Sequence, residues 1–175
     1  MNCYFVISSL NQSEQKRKIK PDGLKIQNRV YQLIFKTDDT VQTILIRLIV
    51  GLIFLTEGIQ KFLFPDLLGT GRFLSIGFSN PAFWAYFTGT FEIICGTFII
   101  IGFITRPAAI PLIIIMITAF ISTKVPILID KGFWSWAHEY RTDFAMSLLF
   151  IYLLVFGAGR WSLDREIART KKSSK

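Results

Sequence analysis

The chain has 175 residues, enough for one domain, and 51% of them are hydrophobic, including 17 phenylalanines. These residues lie in continuous apolar runs, each near the roughly 20 residues a helix needs to cross a bilayer, which excludes an ordinary soluble domain. The net charge of +8 collects at the two ends of the chain, which argues against a nucleic-acid-binding surface and for determinants of membrane topology.

Residues 1–40 hold Lys16, Arg17, Lys18, Lys20, Lys25, Arg29 and Lys36. They read as a cytoplasmic basic tail, with a surface helix expected near Leu24–Phe35. The opening "MNCYFVISSL" has neither a basic start nor a small-residue cleavage site, so no signal peptide is expected. The first span is predicted over 41–64 and ends at Pro65. "DLLGTGRFLSIGFSNP" should follow as a short helix lying on the membrane. The second span is predicted over 82–103. The tight turn "GFITRP" leads into a third over 108–129, with Pro107 suited to a first helical turn. Pro111 and Pro126 should kink this third span. "DKGFWSWAHEY" reads as an outer loop, rich in the aromatic residues that favour an interface. The fourth span, 141–156, is the shortest and needs Arg141 and Asp143 at its interfacial end. Gly157 and Gly159 can then stop the helix, and Ser162 can cap a short basic helix. Residues 160–175 form a second basic tail.

The runs lack period-2 alternation and are too long for barrel strands. The short links make neighbours antiparallel. The predicted fold is therefore an all-α membrane protein, an antiparallel four-helix transmembrane bundle over 41–159. Both basic tails and the Arg106 turn should face the cytoplasm by the positive-inside rule, and an even number of spans gives the same orientation. The tails can also meet anionic lipid headgroups.

The charges within the spans need a reason, because each costs about 2.5–3.5 kcal/mol even on a lenient insertion scale. At 100° per residue, Arg47, Gly51, Phe54, Glu57, Gly58 and Lys61 share one stripe of the first helix. Ala85, Thr88, Gly89, Glu92, Cys95 and Gly96 share one on the second. Small residues let backbones approach, so both stripes are expected to face the interior. Glu57 should lie roughly 10 Å below the outer end of its span and Glu92 roughly 15 Å deep. Lys124, His138, Glu139, Arg141 and Asp143 converge on the same outer side. The expected result is a polar pocket with Glu92 at its floor. Glu57 and Lys61 stand in the favourable order for an i,i+4 pair. Such pairs can simply hold helices in register, and Arg141–Asp143 at the interface fits that plain reading. Glu92 has no partner in its own helix, which makes it the strongest functional candidate. His138, beside tryptophans, reads first as a surface anchor. Arg47, towards the cytoplasmic side, can snorkel or pair within the core.

Cys3 in the tail and Cys95 in mid-span are not expected to meet, so no disulfide or CxxC pair is expected. One histidine and two separated cysteines cannot supply bis-histidine haem ligation or hold an iron–sulfur cluster. Carboxylates with His138 make a weak metal site, and none is expected. No phosphate-binding glycine loop or Ser/His/Asp arrangement is present. A redox role would need a diffusible cofactor, such as a quinone, or a partner subunit.

In order and spacing, "RLIVGLIFLTEGIQKF", "FTGTFEIICGTFIIIGFITRPAAIPL", "HEYRTDF" and "GAGRWSLD" resemble the DoxX family of small four-span bacterial membrane proteins. The resemblance runs from about Ile44 to Asp164. It is closer to a subgroup with Glu-Gly at Glu57–Gly58, where many relatives have a histidine, so a role for that histidine does not carry over. The resemblance implies a bacterial inner-membrane protein linked to quinone-coupled or oxidative-stress redox systems. Glu92 or Glu57 would exchange protons, while Lys61 or Arg141 would stabilise an anion in a pocket that also holds Asp143 and His138. The alternatives are a non-enzymatic assembly or accessory protein and, less well supported for want of an inverted repeat, a small transporter.

Overall fold

Every regular element is helical in the computed structural model, which describes residues 40–173 together with Val30, Ile34 and Phe35. Most of the expected N-terminal tail, including most of the helix near Leu24–Phe35 and Cys3, lies outside the described residues. Helix α1 spans Thr43–Leu63, the short α2 Thr70–Ser75, α3 Pro81–Ile101, α4 Thr105–Ala119, α5 Val125–Phe156 and α6 Leu163–Ser173. Local chemistry sets several boundaries. Asn80 accepts the Phe83 N–H at 3.4 Å and Pro81 opens α3. Gly102 ends it in the left-handed conformation, φ 69°, while the Phe103 N–H reaches back to Phe98 O at 2.9 Å.

Helices α1 and α3 pack antiparallel with their backbones in contact. A Cβ added at Gly58 would lie 2.8 Å from Gly89 O, and one at Gly51 would lie 2.8 Å from Gly96 O. Only glycine permits this approach. In a bilayer, where lipid is as apolar as leucine, close packing of this kind is what associates helices. Val50, Phe54, Ile99, Ala109, Leu112, Phe150 and Leu153 form the core around it.

Among the described residues, three stretches are long and apolar enough to cross a membrane: Thr43–Leu63, Pro81–Ile101 and Thr105–Phe156. The third has 52 residues, with a mean hydropathy of 2.3 over its most apolar 18-residue window, and it absorbs the two runs expected at 108–129 and 141–156. It is not a straight rod. Gly132 breaks it with φ 78° and ψ 175°, backbone open essentially to glycine alone. Lys124 and Glu139 are 15 residues apart, which a straight helix would place about 22 Å apart. Instead Lys124 Nζ donates to Glu139 O at 3.0 Å. The segment therefore folds back at Gly132.

The loop expected over 130–140 is helical on both sides of that glycine, which corrects the sequence expectation. Trp136 and Tyr140, one turn apart, stack at 4.9 Å and 16°. Aromatic pairs at this spacing support a helix rather than an irregular interface loop. Pro126 acts as expected of a residue without an N–H. Just before it the chain widens into a π-helical turn, Phe120–Lys124, where the Val125 N–H reaches Phe120 O.

Candidate functional site

Lys61 sits in the last turn of α1 and Glu92 in the middle of α3. Helical side chains lean towards their own N-terminus. In an antiparallel pair these two therefore lean towards one another, and the Gly58–Gly89 approach brings them within reach. Lys61 Nζ stands 2.5 Å from Glu92 Oε2. Glu92 is only 3% exposed.

This corrects the expected Glu57–Lys61 pair. Glu57 is exposed and makes no ion pair among the described residues. Lys61 turns instead to the buried acid, where charges attract more strongly than at an exposed site. Glu57 still lies close enough for its charge to act on Glu92.

A second polar group forms where the chain folds back. Lys124 Nζ lies 3.5 Å from Glu139 Oε2 and 3.7 Å from Asp143 Oδ2. Phe120, Trp136 and Tyr140, from the same two helical segments, form a cluster of rings in mutual contact. The buried Trp136 Nε1 has no acceptor among the described residues. The expected Arg141–Asp143 pair is not formed, because Asp143 turns to Lys124. Arg141 and His138 are exposed and fall on the other face of α5 from Glu139 and Asp143.

The Phe54 and Phe150 rings, 5.4 Å apart, relate the two groups in depth. Lys61 lies two turns beyond Phe54, and Asp143 lies two turns before Phe150 on a helix running the opposite way. The Lys61–Glu92 and Lys124–Asp143 pairs thus occupy a similar level.

At the other end of α1, Arg47 is 3% exposed and donates Nη1 to Ala158 O at 2.8 Å. Asp164, 2% exposed, accepts the Ile104 N–H at 2.6 Å and the Thr105 N–H at 3.0 Å. It caps α4 from a distant segment and holds Ile104 at φ 41°, a conformation costly for a β-branched residue. Arg47 attracts the same carboxylate, yet burial dominates and pushes the Asp164 carboxyl above its ordinary pKa. The sequence reading gave Asp164 no partner. Its only signal was an acid two residues after a helix-capping serine.

The DoxX family model matches residues 43–125. A protein of Mycobacterium tuberculosis (strain ATCC 25618 / H37Rv), "Uncharacterized membrane protein Rv3486", is 50% identical over 132 residues, which is 72% of this chain and 81% of that protein. The chain belongs to the DoxX family. A further relative, "Putative oxidoreductase CatD" of Bacillus subtilis (strain 168), is 30% identical over 136 residues, 76% of this chain and 92% of its own. No solved structure matches. The part matched by the DoxX model contains Lys61, Glu92 and Lys124 and stops before Glu139, Asp143 and Asp164.

Proposed function

We propose that this DoxX protein crosses the bacterial inner membrane four times as an antiparallel bundle, with both termini cytoplasmic, and serves a quinone-linked redox or oxidative-stress system. Its Glu57–Gly58 step puts it with the Glu-Gly subgroup. The observation that carries the reading is the buried Lys61–Glu92 pair. A charge pair inside a membrane-spanning helix pair is costly and marks a functional site by default. The name of the B. subtilis relative, "Putative oxidoreductase CatD", points the same way.

The residues fit a quinone headgroup by their chemistry. An ammonium and a carboxylate stand together, beside the Phe62 and Tyr86 rings 5.5 Å apart. A quinone would supply two-electron, two-proton chemistry, with the electrons passing to or from a partner subunit. With such a group bound, Glu92 would exchange a proton with a ring oxygen, and Lys61 would hold negative charge there. Glu57, exposed on the same helix as Lys61, would be the group that relays protons between Glu92 and the surroundings. Lys124 and Asp143, at a similar depth, would line the far side of the site, while Arg141 and His138, exposed on the other face of α5, stand outside it.

One observation favours an accessory role instead: Lys61 and Glu92 already satisfy one another, as a packing pair would. Glu92→Gln separates the readings. The amide keeps the shape and hydrogen-bonding reach but cannot cycle a proton. Expression, thermal stability in detergent and a membrane redox or stress-survival assay are measured together, alongside quinone content after purification. A folded variant with lost activity supports proton exchange. A folded variant with full activity overturns it and leaves the accessory role.

A further inference from the structure

The C-terminal helix α6 is fixed to the inner end of the fold. Besides the two amides held by its Asp164 carboxylate, the Asp164 N–H donates to Gly102 O at 2.9 Å. The Arg160 N–H donates to Thr40 O at 3.1 Å. Ser162 Oγ accepts the Arg165 N–H at 3.3 Å and caps the helix. α6 therefore starts beside the ends of α1, α3 and α4, at the level where apolar spans meet the membrane surface.

The surface it presents there is unusual for water. Trp161 is 66% exposed and Leu163 47%, flanking the buried Ser162. Arg160 is exposed next to Trp161, and Arg169 is exposed further along the helix. At 100° per residue Arg165 and Arg169 share one stripe, roughly 100–140° around the helix from the docked Asp164. The sequence continues with Lys171, Lys172 and Lys175. Glu166 pairs with Arg169 at 3.2 Å, but both are well exposed and such a pair holds weakly. A tryptophan and a leucine at the end of a span, flanked by arginines, match the two zones of a bilayer surface. The rings and methyl groups reach the acyl boundary, and the guanidinium groups reach the phosphates.

We infer that Arg160–Leu163 and helix α6 form a docking surface for anionic phospholipid headgroups. The inference is independent of the quinone reading and of Glu92. The full chain carrying Cys3→Ser and Thr170→Cys is labelled at residue 170 with an environment-sensitive dye, Cys95 being buried in α3. It is placed in phosphatidylcholine nanodiscs with and without phosphatidylglycerol. Quenching by neutral acrylamide should fall several-fold when phosphatidylglycerol is present and recover at high salt, because the attraction is screened. In the Arg165→Gln/Arg169→Gln variant it should stay high in both lipids. Equal quenching of the parent protein in the two lipids, high or low, overturns the inference, as does a lipid effect that salt does not reverse. The parent comparison needs no arginine variant, so misfolding of that variant leaves the test intact.

Discussion

Lys61 and Glu92, 31 residues apart in the chain, meet at 2.5 Å across the α1–α3 contact. Neither belongs to the other's helix, and the meeting depends on the glycines that let the two backbones touch. Breaking the pair from one side should cost more than removing it. Lys61→Met leaves a buried acid without its counter-charge and should destabilise the protein by about 3–5 kcal/mol. Lys61→Met combined with Glu92→Leu should recover most of that loss. Denaturation in detergent of both singles and the double completes the cycle. A double variant as unstable as the single would mean that the pair is not the unit that matters.

The two kinds of glycine here should respond differently to alanine. At Gly58 a Cβ meets the Gly89 carbonyl oxygen at 2.8 Å. Gly58→Ala should therefore force α1 and α3 apart, at about 1–3 kcal/mol. At Gly132 nothing lies within 4 Å, but φ is 78°. Gly132→Ala should cost a similar amount through backbone strain alone. A cysteine crosslink between α1 and α3 distinguishes them: its yield should fall in the first variant and hold in the second.

Asp164 should make stability depend on pH. Burial raises its folded-state pKa above the ordinary value of about 3.9. The folded protein then holds this proton more tightly than the unfolded chain does. The resulting stabilisation is fully present below the unfolded pKa and is lost as pH rises through the raised folded value. Melting temperature in detergent should fall over that window, and the Asp164→Asn protein should lack this component. Asp164→Asn should also lose about 1–3 kcal/mol at neutral pH, since one of the two carboxylate oxygens that accept the Ile104 and Thr105 amides becomes an NH2 donor facing a backbone N–H. A pH profile identical in parent and variant would assign the dependence to other groups.

The proposed orientation can be read from outside the cell. A cysteine at Ser135, beside the Gly132 fold-back, should react with an impermeant thiol reagent added to intact cells. One at Ser173 should stay unlabelled until the cells are opened. The reverse pattern would invert the bundle and place α6 on the other surface.

The helices were legible in the sequence because continuous apolar runs have no other economical solution in lipid. Pro65 marked the end of the first helix through local chemistry, whereas Gly102, which ends the second, lay inside the span expected over 82–103. The fold-back at Gly132 was obscured because Phe133, Trp134, Trp136 and Tyr140 suit an interface loop and an interfacial helix equally well. Lys61, Glu92, Lys124 and Asp143 were all legible as misplaced charges. Their pairing was not, because helical spacing fixes which face a residue occupies but not which neighbour it turns to. Asp164 was hidden for a related reason: an acid in a basic tail looks solvated until the distant turn it caps is known.

The glycine contacts between α1 and α3 bear on how the protein is made. Thr43–Ile101 leaves the ribosome before the residues from Thr105 onward, and it already contains both halves of the Gly51–Gly96 and Gly58–Gly89 contacts. The early part of the chain thus carries its own partner into the membrane, whereas the late part, creased at Gly132, arrives to find a finished surface against which Phe150 and Leu153 can settle.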